Sequence, residues 1–334
     1  MLSLKVRPSP DPFRRNHLLR KASWQAVYDA MGRDDSVHVF GEGAQVKAHY
    51  DAPAIDRDYG YRVHTLPICE DGSTNFAVGA SLVGVKPVVD VIGADFLYRT
   101  LDSICNTAAK LDFVTGQGHT IVVRSEFFTG GPTTGQRPEA LFAHIPGLRV
   151  VVPSTPHDAY GLMMTALLTP GVTLFFEDRM IEDIEFGWPS DTQCGDIVPL
   201  GIASCRTKAD AGGVTVVTYG LMRQVAEHVL GRWCATTHSV PKRPYDLVDL
   251  RTIYPLDWPL LKTLVAESGK LLILEPDVQY GGIGAEIAAR IAEEMPGVRV
   301  KRLGAPRTTI PASTSLHAQM LPGNEEIIRG VTDW

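Results

Sequence analysis

Short, uninterrupted apolar runs, separated by helix-length amphipathic stretches, constrain this chain more than any other feature. VHVF (37–40), PVVDVI (87–92), TIVVR (120–124), LRVVVP (148–153) and VTLFFE (172–177) lack the apolar–polar alternation of a strand with one wet face. Such strands are buried on both sides. When helices join them they pair in parallel, with the helices covering both sheet faces. Helical periodicity falls at 18–31, 73–84, 96–113 and 157–168. From 185 to 210 the pattern breaks into a connector containing proline, glycine and cysteine. A second series then follows: GVTVVTYG (213–220), a helix through 230, DLVDL (246–250), a helix at 257–267, KLLILE (270–275), a helix at 284–294 and VRVKRL (298–303). At about 100–200 residues per domain, this predicts two α/β domains, 1–190 and 205–334, each built on a parallel sheet.

The balance of charge excludes several functions. Lysine and arginine total 32 against 38 aspartate and glutamate, a net charge of −6. A nucleic-acid or anionic-membrane binder needs a basic face instead. No run approaches the roughly 18–20 apolar residues of a membrane span. The first 21 residues carry arginine and no apolar core, and Pro8, Pro10 and Pro12 interrupt any amphipathic transit helix, so a cytoplasmic location is expected. The five cysteines form no C-x-x-C pair, which argues against a disulfide framework or structural zinc. No two histidines stand at i, i+4, and no metal site is expected on this chain. GEGAQV (41–46) lacks the third glycine of a dinucleotide fingerprint, and 49–61 reads as loop with no helix to cap a phosphate. Neither a P-loop nor a G-x-S-x-G motif occurs.

The segment LPICEDG (66–72) places Glu70 and Asp71 just before a helix rich in small residues. Carboxylates there are stabilised by the free amides and the helix dipole, so on local grounds either acid is a cap. The wider pattern gives a sharper reading. VFGEGA (39–44), LPICEDG, GASLVGVKPVVD (79–90), DFLYRTLDSICNTAAK (95–110), RPEALFAHIPGLRVVVPSTPHDAYGL (137–162), DLVDLRTIYPLDW (246–258) and GGIGAEIAARIAEE (281–294) follow one another in order. Together they resemble the beta subunit of the thiamine-diphosphate-dependent decarboxylating component of 2-oxoacid dehydrogenase complexes, within the transketolase-like group.

The resemblance implies thiamine diphosphate as cofactor. Its amino group becomes a base when a carboxyl group hydrogen-bonds the pyrimidine N1′, and the family's glutamate for that task aligns with Glu70. Asp71 is then expected to be the cap. Phe96 aligns with the aromatic that stacks on the pyrimidine, although a phenylalanine there can equally be core, and Tyr98 is a weaker lining candidate. Glu42 matches an acid that links two active sites through carboxylates and waters; otherwise it is a solvated acid at a strand end. Where the family carries a His-His-Ser-Gln element, this chain has Thr133 and Thr134, with Gln136 retained and Arg137 following. A threonine hydroxyl can hydrogen-bond a substrate but is no acid or base near neutral pH. Thr134, Gln136 and Arg137 are the candidate substrate contacts, Arg137 as a bidentate anion anchor. His144 is either structural or a pocket residue.

The family's Gly-Asp-Gly…Asn element for the diphosphate and magnesium has no counterpart here. The resemblance therefore implies that Mg²⁺ and the diphosphate are held mainly by a separate alpha chain, in a heterotetramer of two alpha and two beta chains. Asp249, Arg251, Asp257 and the glycines at 281–284 match the family's C-terminal part as folding elements, with a phosphate site at those glycines as the sharper reading. The expected activity is decarboxylation of a 2-oxo acid with acyl transfer. The alternatives are a split transketolase-like or acyloin-forming ligase, and a non-catalytic assembly subunit.

Overall fold

The computed structural model describes residues 19–42, 53–128, 130–181, 197–210, 212–237 and 244–334. In the first part the chain runs α1 (Leu19–Met31), β1 (Val37–Glu42), α2 (Pro53–Tyr59), β2 (Val63–Leu66), α3 (Glu70–Ser81) and β3 (Lys86–Gly93). An irregular helical segment over 94–110 leads to α4 (Leu111–Thr115), β4 (Thr120–Phe127), α5 (Glu139–Ala143), β5 (Leu148–Val151), α6 (Pro156–Leu168) and β6 (Gly171–Asp178). The second part comprises β7 (Ser204–Thr207), β8 (Val214–Thr218), α7 (Gly220–Thr237), β9 (Tyr245–Asp249), β10 (Thr252–Tyr254) and α8 (Trp258–Ser268). It continues with β11 (Lys270–Val278), α9 (Ile283–Glu294), β12 (Arg299–Ala305), α10 (Thr314–Ala318) and α11 (Asn324–Thr332).

Two sheets result, of order β10-β5-β6-β4-β3-β1-β2 and β12-β11-β8-β9-β7. The apolar runs explain the first. Along β4, Val122 faces one cluster while Ile121 and Val123 face the other; along β6, Phe175 is set against Leu174 and Phe176 in the same way. Helices α1 and α6 cover one face through Ala26, Val27, Leu162 and Met163, and α3 covers part of the other through Ala77 and Val78. The cluster on the α3 face continues into the second half through Val217, Leu250, Ile273 and Ile287.

The pairing is parallel except at two edges, where β10 runs antiparallel to β5 and β7 antiparallel to β9. Thus a strand from the second half closes the sheet of the first. Residues 53–66, expected as loop up to 61, form α2 and β2, and β2 pairs in parallel with β1. The single helix expected at 96–113 is instead wound in turn as 3₁₀ (Ala94–Thr100), π (Asp102–Thr107), 3₁₀ (Ala108–Lys110) and α. Part of the expected boundary at 190–205 lies outside the described residues, as do Cys194 and the N-terminal segment. No helix among the described residues is long and apolar enough to cross a membrane.

Candidate active site

Strand β2 delivers the chain through Pro67 to α3, whose first residue is Glu70. The helix opens on Cys69, which makes no side-chain cap bond. Asp71 is not the cap expected of it: its carboxylate accepts from Asn75 Nδ2 at 3.1 Å and from Ser103 Oγ. Glu70 is 7% exposed. Its carbonyl accepts from Thr74 Oγ1 at 2.7 Å, and among the described residues its carboxyl group has no hydrogen-bond partner.

Glu42 ends β1 opposite Leu66 of β2 and is 4% exposed, with Oε1 unpartnered among the described residues. It is therefore not a solvated strand-end acid. Burial pushes its carboxyl up to about 7, the charges of Glu70 and Asp90 push the same way, and Arg99 opposes them. The fold thus brings Glu42, Glu70 and Asp90 into one electrostatic neighbourhood.

A raised carboxyl pKa means that the folded chain binds more protons than the unfolded one between the two values, so stability falls as pH rises from the ordinary glutamate value of 4.5 through about 7. Glu42→Gln should remove that slope. Its stability relative to the unaltered protein should grow across this window by on the order of 2 kcal/mol, measured by denaturant unfolding at a series of pH values. A constant difference between the two proteins would show that folding leaves the Glu42 titration unshifted.

Phe96 lies in the 3₁₀ segment that packs against α3. Its ring meets Phe128 edge-on, with centroids 6.2 Å apart and planes at 68°. Tyr98, 38% exposed, has its hydroxyl pushed up to about 12 by burial, with Asp277, Asp95 and Glu139 adding to the effect. Asp277, from the end of β11, is itself pushed up to about 8, first by burial and then by Glu139.

The loop that carries the candidate substrate contacts lies beside this segment. The Gln136 side chain is exposed, whereas its backbone N–H donates to Asp95 Oδ1 at 3.0 Å. Thr134 is buried; its hydroxyl accepts from Gly131 N at 3.0 Å and closes the turn. Arg137 differs from the open anion anchor expected. Its guanidinium donates to Asp178 at 2.8 Å and Glu139 at 3.2 Å and lies 3.7 Å over the Phe127 ring. Tyr219 from the second half donates to the same Glu139 at 3.2 Å.

His144 stands apart, on a cavity of about 470 Å³ lined also by Tyr254, Gly281, Gly282, Glu286 and Arg290. The glycines there are not a phosphate site. Glu275 Oε1 accepts from Gly284 N at 2.8 Å, so an internal carboxylate occupies the anion position at the start of α9. A Cβ on Gly282 or Gly284 would collide with that carboxylate. Asp257 caps α8 through Leu260 N and also accepts from Ala203 N at 3.0 Å. Arg251 reaches Asp158 on α6 at 2.7 Å, joining the two halves.

Models of the transketolase pyrimidine-binding domain and the transketolase C-terminal domain match residues 17–181 and 204–327. A 2-oxoisovalerate dehydrogenase subunit beta of Bacillus subtilis is 33% identical over 301 residues, covering 86% of this chain and 88% of the relative. The chain belongs to the family of 2-oxoacid dehydrogenase beta subunits. Within it, a pyruvate dehydrogenase E1 component subunit beta of Rickettsia felis is 28% identical, covering 94% and 96% of the two chains. An acetoin:2,6-dichlorophenolindophenol oxidoreductase subunit beta of Cupriavidus necator is 29% identical, covering 91% and 93%. A solved split-gene transketolase chain, in an inactive beta4 tetramer, shares the fold at TM-score 0.75 and 19% identity, covering 95% and 98% of the two chains.

Sequence reasoning on this family member missed Asp90, Asp95, Arg124 and Asp277. One signal was available for three of them. Asp90, Arg124 and Asp277 lie in or at the carboxyl ends of otherwise apolar strand runs, where ligand crevices of α/β sheets open.

Proposed function

We propose that this chain is the beta-type subunit of a heteromeric thiamine-diphosphate-dependent enzyme that decarboxylates a 2-oxo acid and transfers the acyl group, with Glu70 activating the cofactor. The observation that carries this reading is Glu70, a buried residue at the start of α3 whose carboxyl group makes no hydrogen bond to another described residue. A carboxyl group so placed keeps its hydrogen-bonding capacity for a ring nitrogen. The Phe96 ring, braced edge-on by Phe128, supplies an apolar aromatic partner of the kind a pyrimidine needs. These features fit the pyrimidine end of the cofactor.

When bound, thiamine diphosphate supplies the nucleophilic carbon that attacks the 2-oxo carbonyl. Glu70 holds a proton against the pyrimidine N1′. Phe96 orients the ring, and Tyr98 lines the pocket beside it. Glu42 extends the carboxylate chain away from Glu70. The loop bearing Thr134 and Gln136 faces the substrate, with Arg137 anchoring its far end; His144 belongs to the cavity against the second half. Domains 1–190 and 205–334 divide these roles, with β10 crossing between them.

The partner is an alpha chain that holds the diphosphate and Mg²⁺, in an assembly of two alpha and two beta chains. The lack of a Gly-Asp-Gly…Asn element in this sequence supports that division, as do the subunit names of the relatives. Co-expression with the partner chain, followed by incubation with a 2-oxo acid and a lipoyl domain, should yield acylated lipoyl domain by mass spectrometry. Carbon–carbon ligation products that form without any need for the lipoyl domain would replace the dehydrogenase reading with an acyloin-forming one.

A further inference from the structure

Asp95 immediately precedes Phe96 and is buried. Its two oxygens accept two consecutive backbone amides from the loop some 40 residues on: Oδ2 from Gly135 N at 3.1 Å and Oδ1 from Gln136 N at 3.0 Å. The same two stretches of chain meet a second time through the edge-on contact of Phe96 with Phe128. Gly93 makes that approach possible, since a Cβ there would lie 2.5 Å from Phe128 and 3.1 Å from Phe96. Among the described residues the loop is otherwise tied to itself at Thr134, where Gly135 adopts φ 108°, and to the body of the protein at Arg137.

We infer that Asp95 is a positioning residue: it fixes the 130–137 loop against the Phe96 segment and thereby sets how the 2-oxo acid is bound. This rests on the reading of Phe96 and the loop given above. A carboxylate suits the task because each of its oxygens takes one amide, and charge-assisted bonds of this kind are the stronger ones. Asparagine would accept one amide and turn its own N–H₂ toward the other. Holding the loop by its backbone also leaves the side chains at 133 and 136 free to vary with the substrate.

The test compares Asp95→Ala and Asp95→Asn with the unaltered chain, each assembled with its partner. Amide hydrogen exchange in 130–137 should accelerate by about a hundredfold in Asp95→Ala, as expected for losing bonds to a charged acceptor, and by less in Asp95→Asn, while the 70–81 peptide is unchanged. With pyruvate and 2-oxoisovalerate as probes, KM should rise by about tenfold or more with kcat reduced far less, as for lost uniform binding, and thiamine diphosphate affinity should stay constant. Unchanged exchange at 130–137 overturns the inference. So does a loss of cofactor affinity with KM unaltered, which would mean that Asp95 acts only on Phe96. If Asp95→Ala does not assemble, Asp95→Asn carries both readouts. Should the cofactor reading itself be wrong, the exchange result stands and the Glu70 experiment below fails.

Discussion

Replacing Glu70 by glutamine should slow proton exchange at C2 of bound thiamine diphosphate, in the chain assembled with its partner, by about two to four orders of magnitude, the range of general acid–base contributions. The amide matches the carboxyl group in shape and hydrogen-bonding reach but cannot pass a proton to the pyrimidine. Because the Glu70 carboxyl group has no hydrogen-bond partner among the described residues, the substitution breaks no side-chain bond described there. Unfolding free energy should therefore change by less than about 1 kcal/mol. A second consequence follows from charge: Glu70 helps to raise the Glu42 carboxyl, so in Glu70→Gln the Glu42 titration should move down. Exchange at the unaltered rate, in a variant that binds the cofactor normally, would leave Glu70 as no more than the first residue of a helix.

The role proposed for Glu70 was only partly readable in the sequence. The strands at 37–42, 86–93, 120–127, 148–151 and 171–178 were legible because runs such as VTLFFE fit a sheet buried on both faces. The 94–110 segment was not. Its inner side must meet fixed points elsewhere, Asp95 to the loop and Ser103 to Asp71, while Asp102–Asn106 and Asn106–Lys110 keep helical spacing outside. The fixed contacts prevail over the 3.6 period, and no local pattern records them. β10 is three residues long and exists because β5 offers an open edge. The site divides likewise. Local chemistry makes Glu70 and Phe96 an ordinary cap and an ordinary core residue, and only the resemblance gave them roles. The Glu42–Glu70–Asp90 grouping came from parallel pairing of strands distant in sequence.

Arg124→Met should destabilise the protein by about 3–5 kcal/mol near neutral pH, the range for removing one partner of a buried ion pair. Arg124 is 1% exposed in β4 and touches three carboxylates: Asp90 on β3 at 3.1 Å, Glu126 at 2.9 Å and, closer still, Glu177 on β6. Its guanidinium also lies 5.0 Å over the Trp24 ring of α1. Burial already pushes Glu177 up to about 7 even with the cation present, and burial raises Asp90 too. Without Arg124 these acids can persist in the fold only by holding protons, so the loss should be larger at about pH 8 than at about pH 5.5, where protonation relieves it. Arg124→Lys should fall between the two proteins, since an ammonium keeps the charge but not the fork that reaches three strands. Equal denaturant midpoints for Arg124→Met and the unaltered protein at about pH 8 would exclude the cluster as a stabilising element. The same arginine bears on the proposed site through Asp90, whose charge also acts on Glu42. With its cation gone, Asp90 either takes up a proton or presents an uncompensated charge to the Glu42–Glu70 pair. In the second case the pH profile of C2 proton exchange shifts upward in a variant that touches neither glutamate, which would tie the charge cluster around Arg124 to the acid proposed to activate the cofactor.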